Sequence, residues 1–287
     1  MIGMTIMKKI HFFKMSGSGN DFIIIDNRFG AVEAHVLPDF ITGVCRRRLS
    51  AGADGLILVE KGRSADFSWR FFNKDGTRAE MCGNGARCVS RFAYLNGIAG
   101  KELTFETDTG IVSAHVKEDR VRVAMPDPGN LIPDYPLEIS TGRIMVSSIN
   151  TGVPHVVCEV NDPDQINVAE LGREIRYHRY YAPAGTNVNF ITLNSDNSIS
   201  LRTYERGVED ETLACGTGAI ASALVTAAKR ALASPIRVKP KGGGFLTIFF
   251  QNENRRFSSV FLEGDARVIY EGDLWEEAWN DEGMKTT

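Results

Sequence analysis

Ser68-Trp69-Arg70-Phe71-Phe72-Asn73, followed after a polar stretch by Cys82-Gly83-Asn84-Gly85-Ala86, has a second version in the same chain. There Ser200-Leu201-Arg202-Thr203-Tyr204-Glu205 precedes Cys215-Gly216-Thr217-Gly218-Ala219, and the spacing from serine to cysteine differs by a single residue. In both copies an aromatic and β-branched run reads as a strand, a polar turn follows, and Cys-Gly-x-Gly-Ala opens a helical stretch. One helix is expected from Ala86 to Asn96, stopping at Gly97, and the other over alanine-rich Thr217 to Ala233, ahead of Pro235. A supersecondary unit used twice predicts two similar halves facing a shared cleft. On the repeat alone, an accidental match of short glycine-rich stretches stays open.

The rest of the chain is compatible with that plan. Its 287 residues, 43% of them apolar, exceed what one hydrophobic core usually fills, so two domains are expected. Asp21 to Asp26, Gly55 to Val59 and Arg120 to Met125 are short runs rich in β-branched residues and read as further strands. Pro126, Pro128, Pro133 and Pro136 crowd one segment, read as a loop crossing between domains because proline cannot donate to a strand ladder. A net charge of -3 supplies no field for nucleic acid or an anionic membrane, so a small-molecule partner is expected. No apolar run approaches the roughly 18 residues of a spanning helix, and the opening residues lack the order of a secretory leader. Cys45, Cys82, Cys88, Cys158 and Cys215 are few and odd in number, which suits reduced thiols in a cytoplasm better than a disulfide framework.

The chemistry turns on two of those cysteines. A thiol at a helix N-terminus sits among unsatisfied N–H groups at the positive end of the dipole, where the thiolate is favoured. Adjacent glycines let a ligand approach the backbone, and the same N–H groups can hold a carboxylate. Two such elements in matching halves suit a reaction with matching ends. Inversion of a stereocentre is one: a thiolate removes a proton from one face and a thiol delivers one to the other. Cys82 and Cys88 lack zinc-ribbon spacing, the chain has only five histidines, and no dinucleotide or phosphate-loop fingerprint is present, so neither metal nor nucleotide cofactor is expected. Cys45, Cys88 and Cys158 lack a comparable glycine context and read as small buried hydrophobes. A binding module that merely holds an amino-acid carboxylate at two helix ends is the alternative from another functional class.

Lys14-Met15-Ser16-Gly17-Ser18-Gly19-Asn20-Asp21-Phe22, Phe72-Asn73-Lys74-Asp75-Gly76, Cys82-Gly83-Asn84-Gly85-Ala86-Arg87-Cys88, Tyr204-Glu205-Arg206-Gly207 and Glu211-Thr212-Leu213-Ala214-Cys215-Gly216-Thr217-Gly218-Ala219 resemble, in this order, the diaminopimelate epimerases. The resemblance implies an α/β (α+β) fold of two pseudo-symmetric domains, each a curved, mostly antiparallel sheet around a central helix. The chain's end returns to the first domain, giving 1–126 plus 265–287 and 127–264. It also implies a pyridoxal-free isomerase interconverting LL- and meso-2,6-diaminopimelate in lysine and peptidoglycan precursor synthesis, commonly a homodimer.

Carried over residue by residue, the resemblance places acid and base on Cys82 and Cys215 and thiol tuning on His155 and Glu205. Substrate contacts fall on Asn20, Asn73, Gly83, Asn84, Asn187, Glu205, Arg206, Gly216 and Thr217. The residue types fit: Arg206 suits a distal carboxylate, and asparagines bind zwitterionic groups without adding charge. Read without the resemblance, those asparagines are ordinary turn residues and His155 an ordinary loop histidine. Two positions depart from the family pattern. Val153 stands where many members have asparagine before Pro-His, and Gly55 where several have glutamine. A racemase of related fold acting on a single amino acid is the nearest rival, although proline racemases carry histidine at the place of Asn84 and the phenazine-related isomerases lack the cysteine pair.

Overall fold

A computed structural model of the protein describes residues 9–280 apart from Glu80 and Asn254, so the outermost parts of the expected first domain, 1–8 and 281–287, lie outside the described residues. In chain order the elements are β1 (Lys9–Gly17), β2 (Asn20–Asp26), α1 (Leu37–Cys45), β3 (Gly55–Lys61), β4 (Phe67–Asn73), β5 (Arg78–Ala79), α2 (Gly83–Leu95), β6 (Glu102–Thr107), β7 (Gly110–Lys117) and β8 (Arg120–Ala124). They continue with β9 (Gly129–Ile139), β10 (Gly142–Asn150), β11 (Pro154–Glu159), α3 (Val168–Arg176), β12 (Asn187–Leu193), β13 (Ile199–Glu205), β14 (Asp210–Thr212), α4 (Gly216–Arg230), β15 (Ile236–Pro240), β16 (Leu246–Glu253), β17 (Arg256–Asp265) and β18 (Arg267–Trp275). The chain divides into two compact units, 1–121 with 265–287 and 122–264.

Both units follow one pairing scheme. In the first, β1 lies antiparallel to β18 and β2, β2 parallel to β3, β3 antiparallel to β4, and β4 parallel to β6. In the second, β10 lies antiparallel to β9 and β11, β11 parallel to β12, β12 antiparallel to β13, and β13 parallel to β15. Each sheet is thus mostly antiparallel, as expected, with the short β5 or β14 added beside the strand that leads to the cysteine.

Each sheet is covered on both faces, which explains the continuous apolar runs read as strands. Ile23, Ile25, Leu56 and Leu58 pack with Phe40, Ile41 and Val44 of α1. The alternate residues of β2 and β3 face the other way, where α2 buries Ala86, Cys88, Val89, Phe92 and Ala93. The second unit repeats this layering: Val156, Cys158, Val188, Phe190 and Tyr204 pack with Val168 and Ile175 of α3. Helix α4 is buried from Gly218 to Ala227, and its small side chains let strands β9 to β13, β15 and β16 approach it.

Contact between α3 and its sheet is close at one glycine. A Cβ built on Gly172 would lie 2.5 Å from Tyr204 Cβ, and Tyr204 is itself buried, so the ring cannot swing away cheaply. Gly172→Ala is therefore expected to destabilise the protein by about 1–3 kcal/mol through overpacking. A urea midpoint equal to that of the wild type would contradict this packing.

Three sequence readings need adjustment. The two central helices begin earlier than expected, at Gly83 and Gly216, because the cysteine side chains cap them. Helix α4 also stops short of Ala233, ending at Arg230 with Ala231 in left-handed backbone. The proline-rich segment is not simply a loop: Pro133 and Pro136 lie within β9. The β9 to β10 register shifts between Val146 and Ser148, and Pro133 falls within that break, where its missing N–H costs no regular ladder bond.

Candidate active site

The chemistry expected of Cys82 rests on the start of α2. Cys82 is the N-cap residue, and its Sγ accepts the Gly85 N–H at 3.5 Å. The thiol also reaches Asn20 Oδ1 at 3.7 Å, and Gly83 forms the first residue of the helix. Asn20 is held in turn, its Nδ2 donating to Asp54 Oδ2 at 2.8 Å. Arg47 bridges Asp21 and Asp54, and Lys14 pairs with Asp21 at 2.8 Å. Burial opposes ionisation of Asp21, but the hydrogen bonds from Arg47 and Lys14 prevail and bring it down to about 2. This Lys14, Arg47, Asp21, Asp54 network was not legible as a support for Asn20, although Lys14 and Asp21 belong to the first motif.

Asn84 and Asn73 are engaged locally. Asn84 Oδ1 accepts from the guanidinium of Arg87 at 2.9 Å, whereas Asn73 is exposed at the end of β4 with Nδ2 on Thr77 Oγ1 at 3.0 Å. Arg87 is fully buried and holds the start of α2 from beneath, donating to the Gly83 and Asp265 carbonyls and to Ser18 Oγ. A Cβ at Gly17 would lie 3.0 Å from the Asn84 carbonyl oxygen, so this strand end also presses against the first turn of α2.

The second unit builds the same cap on α4. Cys215 is buried, its Sγ accepts the Gly218 N–H at 3.4 Å, and Thr217 Oγ1 lies 3.4 Å from the sulfur. Gly216 is the first helical residue. Thr151 Oγ1 donates to the Thr217 carbonyl at 3.2 Å, tying the turn before β11 to this helix end. Asn187 joins two further expected residues: its Oδ1 accepts the Arg206 backbone N–H at 2.9 Å, and its Nδ2 donates to the Pro154 carbonyl, next to His155. Burial raises the pKa of Glu205, the last residue of β13. Val153 is half-buried in a tight turn after Gly152, whose φ is +101°. At the other departure, a Cβ on Gly55 would lie 2.7 Å from the Phe72 carbonyl oxygen, so this chain's packing has no room for a side chain there.

The remaining cysteines differ in kind. Cys45, Cys88 and Cys158 are all buried, as expected of small hydrophobes, and burial pushes Cys45 and Cys158 up to about 12 and Cys88 higher still. None of them sits at a helix N-terminus.

Comparison with known proteins gives the chain that carries these two cysteine caps a family. The family model described as diaminopimelate epimerase matches residues 12–130 and 147–269. The chain belongs to the diaminopimelate epimerase family. A diaminopimelate epimerase from Aquifex aeolicus (strain VF5) is 44% identical over 279 residues, covering 93% of this chain and 99% of its own. Among solved structures, a phenazine biosynthesis protein of the PhzF family from Bacillus anthracis superposes with a TM-score of 0.72 at 16% identity, covering 93% of this chain and 99% of its own. A hydroxyproline epimerase from Agrobacterium vitis gives 0.67 at 16% identity, covering 94% and 93%. At such identity these two structures share the fold and nothing finer. The epimerase family model spans both cysteine elements, so each of the two units of this isomerase carries one of them.

Within this epimerase, His155 has the most altered surroundings of the expected residues. Burial, with repulsion from Arg206 added, pushes its pKa down to about 3, so the ring is neutral at neutral pH. The unfolded chain, with a histidine pKa of about 6.5, takes up a proton that the folded chain refuses. Stability from the neutral buried ring is therefore present above pH ~6.5 and is lost as pH falls towards about 3. Between pH ~6.5 and ~4.5, wild type is expected to lose stability relative to His155→Gln by up to about 1.4 kcal/mol per pH unit. Urea unfolding at a series of pH values measures the difference, and parallel curves would contradict a neutral buried imidazole.

Proposed function

We propose that this chain interconverts LL- and meso-2,6-diaminopimelate by proton transfer between two thiols, with Cys82 and Cys215 serving in turn as base and acid. The observation that carries this reading is the duplication itself. In a chain of this family, each unit presents one cysteine as the N-cap of a buried helix, with the third helical N–H on its sulfur. A helix N-terminus stabilises a thiolate, which makes a base of each sulfur in its deprotonated form. In one direction, a thiolate takes the α-proton, the C–H electron pair stays on carbon, and the opposing thiol delivers its own proton to the other face. The roles are reversed for the return.

Amides at Gly83 and Gly216 and the side chains of Asn20, Asn84 and Thr217 would hold the reacting amino-acid head group, while Asn73, Asn187 and Arg206 would meet the distal one. His155 and Glu205 would set the charge around the thiols. No pyridoxal or metal is assigned a role in this scheme. We further infer a homodimer acting in the cytoplasm on a free small molecule. Among the described residues no helix is long and apolar enough to cross a membrane. The single-amino-acid racemase is retained as a second reading because of Val153.

The test is an assay of purified enzyme on LL-diaminopimelate beside lysine, glutamate, histidine and proline. Turnover of diaminopimelate should lead by orders of magnitude, and Val153→Asn should change its kcat/KM by no more than about tenfold, the worth of one neutral hydrogen bond. Faster inversion of a monocarboxylate amino acid would overturn the assignment in favour of the racemase.

A further inference from the structure

The two units differ at one place where their common fold predicts equivalence. Aligning the repeat on Ser68-x-Arg70 and Ser200-x-Arg202 sets Phe71 against Thr203. Phe71 pairs across the sheet with Ile57, and Thr203 with Asn189. One strand further, Phe22 in β2 takes the place of His155 in β11. The helix caps give the same alignment independently. A Cβ on Gly85 would meet Ile57 Cδ1 at 3.3 Å, and a Cβ on Gly218 would meet Asn189 Oδ1 at 2.4 Å. In the first unit this row beneath the cysteine cap is Phe71, Ile57 and Phe22, with the two rings in edge contact at 5.8 Å. In the second it is Thr203, Asn189 and His155, all buried and joined by hydrogen bonds. The fold therefore tolerates an apolar row here, and the polar one answers to something else.

The bonds in that row have only one consistent assignment. Asn189 donates to the Val156 carbonyl at 2.9 Å, and a carbonyl can only accept, so the amide nitrogen must lie on that side. The oxygen end then accepts from Thr203 Oγ1 at 3.0 Å. The second proton of the same amide nitrogen points at His155 Nδ1, 3.1 Å away, which must accept it and so carries no proton. The ring proton of a neutral His155 is left on Nε2, a buried atom with no hydrogen-bond partner among the described residues.

We propose that Asn189 is a positioning residue that locks His155 as the neutral Nε2–H tautomer, a fixed hydrogen-bond donor beside the Cys215 cap. A ring so held cannot act as a base at Nδ1 in competition with the Cys215 thiolate. Its Nε2–H, without a partner among the described residues, is held for an anionic group such as the substrate carboxylate. Gly218 is part of the device, because any side chain there would displace Asn189 Oδ1. The inference rests on the proposed epimerase reaction only for its effect on turnover.

The test is nitrogen NMR of the full-length protein labelled with ¹⁵N-histidine, which distinguishes protonated from unprotonated ring nitrogens, alongside kcat/KM for diaminopimelate. Wild-type His155 should show Nε2–H and a bare Nδ1 at pH 7. Asn189→Asp, nearly isosteric, replaces the donor by an acceptor, so it should move the proton to Nδ1 or charge the ring, and kcat/KM should fall by about tenfold or more. Asn189→Ala is the second variant should the aspartate not fold, and is expected to release the lock into a mixture of tautomers with a similar loss. Thr203→Val, which keeps the Asn189 amide bonds to Val156 and His155, should retain the Nε2–H tautomer. The proposal is overturned if wild type shows Nδ1–H or a charged ring, if both Asn189 variants keep the wild-type tautomer, or if the tautomer moves while kcat/KM does not. A wild type with the Nε2–H signature but no action on diaminopimelate would instead refute the assigned reaction and leave the tautomer lock standing.

Discussion

Replacing Cys82 or Cys215 by alanine is expected to lower kcat/KM for epimerisation by about 10³-fold or more in each case, with the protein still folded. Loss of either sulfur removes the base for one direction and the acid for the other, and positioned proton transfer typically contributes about 10²- to 10⁴-fold. The structural cost is small by comparison. Each sulfur accepts one helix N–H, at 3.5 Å for Cys82 and 3.4 Å for Cys215, and losing a cap costs roughly 0.5–2 kcal/mol. The three other cysteines should show the reverse pattern. Cys45, Cys88 and Cys158 are buried in packed surroundings, so truncation to alanine is expected to lower the unfolding midpoint while kcat/KM stays within a few-fold. Activity and urea midpoint measured on all five variants separate the two groups. Near-wild-type turnover in either Cys82→Ala or Cys215→Ala would leave the two-thiol mechanism without support.

Arg206→Ala should remove the enzyme's preference for a substrate with two amino-acid ends. Arg206 follows β13 directly, its backbone N–H is held by Asn187, and one of its five side-chain donors is turned to the Ala184 carbonyl at 3.3 Å. A carboxylate gripped bidentately by such a group gains two charge-assisted hydrogen bonds, together worth at least about 3 kcal/mol. That corresponds to a fall of more than about 100-fold in kcat/KM for diaminopimelate. Amino acids without a distal carboxylate have no such contact to lose, so their values should be nearly unchanged. Arg206→Lys, which keeps the charge but not the fork, should recover only part of the difference. Equal losses for diaminopimelate and lysine would show that Arg206 acts through packing.

Much of this was legible in the sequence because it depends on local pattern. The repeat placed both cysteines at helix starts, and β-branched runs marked the strands buried on two faces. What escaped depends on which neighbours fold over a residue. The alternation of polar and apolar residues in Asn187-Val188-Asn189-Phe190 does not show that α4 covers the face on which Asn189 lies. Nothing in the local sequence around Arg87 shows that it is buried under the Cys82 cap. The prolines of β9 read as a loop because strand patterns do not show where a register breaks.

The most direct test of the two-thiol mechanism is the fate of hydrogen during early turnover of LL-diaminopimelate in heavy water. A thiol on the far face exchanges with solvent before it donates, so each meso product molecule should carry one deuterium at the inverted carbon. Remaining substrate should be unlabelled at low conversion. Mass spectrometry of substrate and product at a few per cent conversion reads both. Product that keeps the substrate's own hydrogen would mean that one group removes and returns the same proton, and would contradict the assignment of Cys82 and Cys215 to opposite faces.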